Sequence, residues 1–343
     1  MRRVWLGMIL CLGVFVAACA KHAAPTLPPP ASPSPRPTTS PVFSLLNGAQ
    51  VAPHSGEHRI AAVMIDNYPI EARPQSGLHD ADIVYEAEAE GGITRYLALF
   101  LERTPAIIGP VRSARTYFVD LARPYDPLFA HAGENDDVWG PLRELRAAGF
   151  ADMDEIVGTP EAFWRDSSRH MPHNLYTSVA RLRKTAPKYG YPDREFVRPA
   201  FAFYDDPPAP GPLPDATLTF WRHYTVGFHA RGPVYERVID GVVQHDRGDN
   251  RPYEVSDIIA VWIPAKVLDD IGDLEMNVYG TYPAVLVHDG KATPARWIAS
   301  GPNALPQVRD LHGSLLALTP GQVYVEVLPQ GGTLQNGKNV WSY

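Results

Sequence analysis

Carboxylates and guanidinium groups are the side chains in this sequence best placed to do chemistry. The densest set lies in residues 83–100, IVYEAEAEGGITRYLALF. On an extended strand Glu86, Glu88 and Glu90 share a face with Val84, while Ile83, Tyr85, Ala87 and Ala89 share the other. Carboxylates in a row repel one another and are costly unless something positive faces them. With Gly91-Gly92 as a two-residue loop, Glu90 stands opposite Ile93 and Glu88 opposite Arg95. Three readings are open: a solvated face with a cross-strand ion pair, a cation site, or a carboxylate pair for acid/base work.

A second set is GPVRSART, residues 109–116. Ser113 as a helix N-cap would leave free N–H groups at Arg115 and Thr116, at the positive end of the helix. Arg112 and Arg115 add charge where the dipole disfavours it. A bound anion would relieve that conflict, and so would pairing with Glu86 or Glu90 of the neighbouring strand. A third set follows an apolar strand that ends at Asp66 and Asn67, with Arg73, Gln75 and Ser76 in the next loop. Polar groups at such a strand end line a crevice in many α/β proteins, although a plain polar loop reads the same way.

His131 sits inside the apolar run Leu128–Gly133. His170 and His173 are three apart, but Pro172 disfavours the helix on which such a pair binds metal, so no metal site is expected. Asn174 and Tyr176, with Thr177 and Ser178, are expected in a helix-capping loop that faces a pocket. No Gly-x-Ser-x-Gly, P-loop or dinucleotide fingerprint occurs, so no cofactor is expected and no residue is assigned as catalytic.

The elements that must position these residues alternate from Ile60 onward. Strands are expected at 60–66, 81–90, 93–102, 106–109 and 128–133, and helices from Ser113 to about Ala122, from Val138 to Ala148, and from Ser178 to about Lys188, with Gly190 as the last stop. Residues 205–215 carry five prolines and read as a linker. Beyond them strand signals dominate. Val234–Ile239 and Val242–His245 flank Asp240-Gly241, Ala284–His288 precedes Asp289-Gly290, and Val323–Leu328 closes the region. The expected fold is therefore an α/β (mixed α+β) N-terminal domain over 45–204 and a smaller β-rich C-terminal domain over 216–343.

The N-terminus indicates where these domains would work. Arg2 and Arg3 precede a short apolar run that ends in Val16-Ala17-Ala18-Cys19, the pattern of a secretory signal with a lipidation cysteine. The run is shorter than the roughly 20 residues of a spanning helix. Residues 1–19 read as the signal and 20–44 as a tether, with eight prolines between Pro25 and Pro41. The two cysteines, Cys11 and Cys19, leave the folded body without a disulfide or thiol chemistry. A net charge of −7 argues against a nucleic-acid partner.

ARPQSGLHDADIVYEAEAEGGITRYLALF, IGPVRSARTYFVDLA and HNLYTS, followed by PVYERVIDGVVQHD, DGKATPARW and LTPGQVYVEVLP, resemble the YerB-like lipoprotein family. The resemblance spans nearly all of residues 57–330. It implies an α/β domain followed by a smaller β-rich one, and no established reaction. The run AGENDD after His131 departs from the Gly-Ser turn expected of the family. The function expected from residues and resemblance together is a non-enzymatic, lipid-anchored envelope protein outside the cytoplasm. It would bind an anionic wall polymer, or an envelope protein, in a crevice where Arg95, Arg112 and Arg115 oppose Glu86, Glu88 and Glu90. The alternatives are a polymer hydrolase or transferase with a Glu acid/base, and a protein-docking scaffold.

Overall fold

The apolar runs that read as strands are strands buried on both faces. In the computed structural model the described residues are 41–53, 56–207, 214–220 and 224–343, with the side chains of 136–139 set aside. Cys19, the signal and most of the proline-rich tether lie outside them. The first half contributes β1 (Ala61–Asp66), β2 (Ile83–Glu90), β3 (Ile93–Phe100), α1 (Thr116–Ala122), β4 (Leu128–His131), α2 (Asp136–Ala147), β5 (Asp152–Asp154) and α3 (Val179–Thr185). The second half contributes β6 (Ala216–Thr219), β7 (Thr225–Arg231), β8 (Val234–Ile239), β9 (Asp257–Trp262), β10 (Gly280–His288), β11 (Lys291–Ala299), β12 (Gln307–Asp310), β13 (Val323–Leu328), β14 (Thr333–Asn336) and β15 (Asn339–Ser342). Among the described residues all three α-helices precede the proline-rich stretch, and the chain is β-rich.

Ten strands form one mixed sheet in the order β12-β11-β10-β9-β13-β2-β3-β1-β4-β5. Strands from both sides of the proline-rich stretch meet at its centre, where β13 pairs in parallel with β2, Glu326 beside Glu86. β3 is antiparallel to both β2 and β1, so β9, β13, β2, β1, β4 and β5 all run one way. Their carboxyl ends share an edge, which carries Glu90, Asp66, His131 and Asp154.

Each face of the sheet is covered, which explains why its central strands are apolar throughout rather than alternating. One face, with Met64, Tyr85, Leu97 and Phe129, packs against Phe118 and Leu121 of α1 and Leu142 of α2. The opposite face, with Val63, Val84, Tyr96 and Tyr324, packs against Val179 and Leu182 of α3 and a second, antiparallel sheet. That second sheet has seven strands, the longer ones being β8, β7, β6, β14 and β15.

The β2–β3 hairpin turns at Gly91 and Gly92, whose φ angles of 59° and 86° suit glycine at both central positions of the tight turn. Two local expectations fail. Residues 106–109 form no strand and make only single bridges, Ile108 to Thr177 and Gly109 to Ser76. The first helix starts at Thr116, not at Ser113. Its N-cap is Arg115, in an extended conformation with no side-chain cap. The third helix matches its signals, with Ser178 accepting from the Arg181 N–H at 3.2 Å and Gly190 ending the run at φ 79°.

Candidate functional site

The expected single crevice is two networks, one on each face of the sheet, and a bulge in β2 separates them. Glu86 and Glu88 oppose Tyr96 and Thr94, but the register shifts before Glu90, which opposes Ile93. The extra residue, Ala89, turns Glu90 onto the face of Ala87 and Arg95. Glu88 therefore faces Thr94 instead of Arg95, and the three glutamates do not share a face.

On the face covered by the second sheet, Glu86 is wholly buried. Its Oε1 accepts from Thr94 Oγ1 at 2.6 Å, Asn67 Nδ2 at 3.1 Å and Tyr224 OH at 3.1 Å. Its Oε2 forms a buried ion pair with Arg237 of β8, whose guanidinium lies over the Tyr96 and Tyr324 rings at 5.2 and 5.9 Å. Glu326 is also fully buried. Burial first, and then the charge of Glu86, push its pKa well above the usual carboxyl range. Its surroundings thus favour the neutral form of Glu326.

Asn67 is the hub between this network and the surface. Its Oδ1 accepts from Arg73 Nε at 2.8 Å and Gln75 Nε2 at 3.0 Å. Gln75 Nε2 also donates to the Asp66 carbonyl at 3.0 Å, whereas Ser76 contributes its backbone, donating to the Gly109 carbonyl at 2.8 Å. The Arg73 guanidinium also reaches the Asn67 carbonyl at 3.2 Å and Tyr224 OH at 3.3 Å and lies 5.5 Å from the Tyr224 ring centroid. Among the described residues no carboxylate pairs with Arg73.

Asn174 and Tyr176 brace the same loop at one remove. Tyr176 OH accepts from Arg169 and Arg247 at 3.2 and 3.0 Å, and Asn174 Nδ2 donates to the Arg169 carbonyl at 3.3 Å. Arg169 in turn donates to the carbonyls of Ala72 and Pro74 at 3.0 and 2.8 Å.

The opposite face holds the predicted arginines, and they are paired inside the protein. Glu90 bridges Arg95 and Arg115, and Arg115 also meets Asp273 at 3.1 Å. Arg112 meets Asp66 through Nε at 3.3 Å, and His173 Nδ1 meets the same Asp66 oxygen at 2.7 Å. Ser113 supplies its carbonyl to Arg95 at 2.9 Å and its hydroxyl to Arg115 at 3.3 Å. Burial, with the charge of Arg115 second, lowers the pKa of Arg95 to about 10, against the pull of Glu90. Three arginines thus meet three carboxylates, and the positive tip expected at Ser113 is not formed. Arg112 alone keeps both terminal nitrogens without a protein partner among the described residues, its side chain 29% exposed.

His131 stands apart from both networks. Its ring is fully buried, with Nε2 2.6 Å from Asp152 Oδ1 and Nδ1 2.9 Å from the Gly133 carbonyl. Burial alone would lower its pKa, but the charge and hydrogen bond of Asp152 outweigh burial and raise it to about 9.

The C-terminal partners Arg237, Glu326 and Tyr224 escaped sequence reasoning. A signal was present for two of them, since VYERVI places Glu236 and Arg237, and VYVEVL places Glu326, inside otherwise apolar strands. The acid/base reading finds two buried carboxyls side by side, Glu86 and Glu326, but neither reaches the surface. A cleft of about 650 Å³ beside α1 is lined by Asp120, Lys266, Leu274 and Met276, among others, and by none of the predicted site residues.

The family described as "Protein of unknown function (DUF3048) N-terminal domain" matches residues 46–192, and its C-terminal counterpart matches residues 216–325. The chain belongs to the DUF3048 family. A DUF3048 relative from Bacillus subtilis (strain 168), "Putative lipoprotein YerB", is 32% identical over 304 residues, 86% of this chain and 89% of the relative. The crystal structure of the YerB protein from Bacillus subtilis superposes with a TM-score of 0.76 at 29% identity, covering 86% of this chain and all of that one. The resemblance in sequence motifs is thus a family relationship with two matched segments.

Proposed function

We propose that this DUF3048 protein is a lipid-anchored binding protein of the cell envelope that holds an anionic ligand beside the loop of residues 67–77. The anchor would be Cys19, in keeping with the lipoprotein name of its relative. One observation carries the ligand class. Arg73 is fixed by Asn67 and Tyr224 yet has no carboxylate partner among the described residues. A positioned guanidinium without a counter-charge suits a phosphate or carboxylate, which it can grip through two N–H groups. Arg112 offers its two terminal nitrogens on the other face of the same strand end. Arg95 and Arg115 act instead as structural cations.

The reading is tested by titrating the full chain with a phosphate-bearing and a carboxylate-bearing wall glycan. Loss of one charge-assisted contact costs about 1.5–3 kcal/mol, so Arg73→Ala should weaken binding roughly tenfold or more. Equal affinity of wild type and Arg73→Ala overturns the reading.

A further inference from the structure

The carboxyl ends of β4 and β5 gather a second group of side chains that the anion-binding reading does not use. His131, Glu134 and Asp154 each offer one ligand atom, and these atoms lie within 4.8 Å of one another. His131 Nδ1 is 3.8 Å from Glu134 Oε2 and 3.9 Å from Asp154 Oδ1. Two ligands about 2.1 Å from one ion stand at most about 4.2 Å apart. Both separations fit a shared ion and are too long for hydrogen bonds.

Glu134 is the telling residue. Its side chain is only 4% exposed, and both carboxylate oxygens are buried with no hydrogen-bond partner among the described residues. A buried carboxylate without a donor is costly. The oxygen Asn135 Oδ1 beside it is buried and unpartnered too. The surroundings are those of a metal ligand set. His131 Nε2 faces Asp152, the arrangement by which a second carboxylate orients a ligating imidazole. Asp154 is held by the N–H groups of Gly133 and Ile156 at 2.9 and 3.0 Å. Arg146, which pairs with Asp152 and lies 3.5 Å from Asp154 and 3.9 Å from Glu134, is the only Arg or Lys that ion-pairs with this group among the described residues. Even with a protonated His131 it offers two positive charges against the three carboxylates Glu134, Asp152 and Asp154.

We infer that His131 Nδ1, Glu134 and Asp154 form a binding site for a first-row divalent transition cation. One imidazole nitrogen and two carboxylates suit Zn²⁺ or Mn²⁺ better than Ca²⁺ or Mg²⁺. The competing arrangement keeps a proton on Nδ1, donated to the Gly133 carbonyl, and leaves Glu134 with only the 3.9 Å ion pair to Arg146 and no hydrogen-bond partner among the described residues.

The test uses the full chain, stripped of metal by a chelator and then titrated calorimetrically with Zn²⁺. Co²⁺ serves as a spectroscopic probe of the same site. One equivalent should bind and raise the Tm, and Co²⁺ should develop a visible absorption band that Zn²⁺ abolishes. Glu134→Gln removes a charge but no hydrogen bond, so the metal-free variant should fold as wild type does. Its affinity for Zn²⁺ should fall at least tenfold, and the Co²⁺ band should be lost. His131→Gln should behave alike; if it fails to fold, Glu134→Gln decides alone. Absence of stoichiometric binding, or unchanged affinity in Glu134→Gln, overturns the assignment.

Discussion

At the scale of single residues, the Glu86–Glu326 pair shows how two buried carboxyls coexist beside one buried guanidinium. Arg237 balances one negative charge, and burial and the charge of Glu86 raise the pKa of Glu326, which favours its neutral form. Either glutamate can supply the charge that Arg237 needs, so each single replacement leaves one carboxyl to do so. In Glu86→Gln the repulsion that holds Glu326 neutral is gone, and Glu326 can ionise against Arg237. The double variant Glu86→Gln/Glu326→Gln strands a buried cation, which costs about 3–5 kcal/mol. The expected outcome of a urea-denaturation cycle is therefore a double-variant cost well above the sum of the singles; additive costs would show that the two do not share a role. The pH dependence has a definite sign. A carboxyl whose folded pKa lies above its unfolded value stabilises fully at pH below the ordinary carboxyl range and loses that contribution as pH rises through the raised value. Glu326→Gln should remove that decline.

At the scale of elements, the bulge at Ala89 assigns Glu90 to its partners. Strand alternation read from sequence places Glu86, Glu88 and Glu90 together, because nothing in AEAEGG marks one residue as extra. Signals held in a few adjacent residues were legible: Gly91-Gly92 at the hairpin, Ser178 at a helix start, Gly190 at its end. Ser113 mimicked such a signal, but the chain stays extended through Arg115, whose guanidinium reaches Glu90 and Asp273. Tertiary ion pairs outweighed the local cap. Glu90→Gln, which leaves Arg95 buried without its carboxylate, should cost about 3–5 kcal/mol. Deleting Ala89 removes the bulge but leaves Glu90 opposite Ile93, on the face of Ala87 and Arg95, so it should cost well under that. Similar denaturation midpoints for the two variants would show that Glu90 does not balance Arg95.

At the scale of the whole molecule, composition suggests a division at the proline-rich stretch, and pairing crosses it. The cue at residues 205–215 is real as composition, but strand order is not written in local sequence, and β13 returns to lie between β9 and β2. A fragment ending before that stretch would leave β2 as an open edge with buried apolar faces on both sides, a poor state for a soluble body. It would also lack Arg237 against Glu86, Asp273 against Arg115 and the second sheet over Val84 and Tyr96. Each half therefore needs the other for charge balance and for its core. Unfolding of residues 41–343 should then be one cooperative transition, with calorimetric and van't Hoff enthalpies equal. Two resolved heat-absorption peaks, or a fragment ending before residue 205 that melts sharply by itself, would refute this. If the transition is single, a ligand at the loop of residues 67–77 and a cation at His131 must stabilise the same folding unit, so each should raise the Tm of β8 and β13, strands that neither touches, as read by amide exchange.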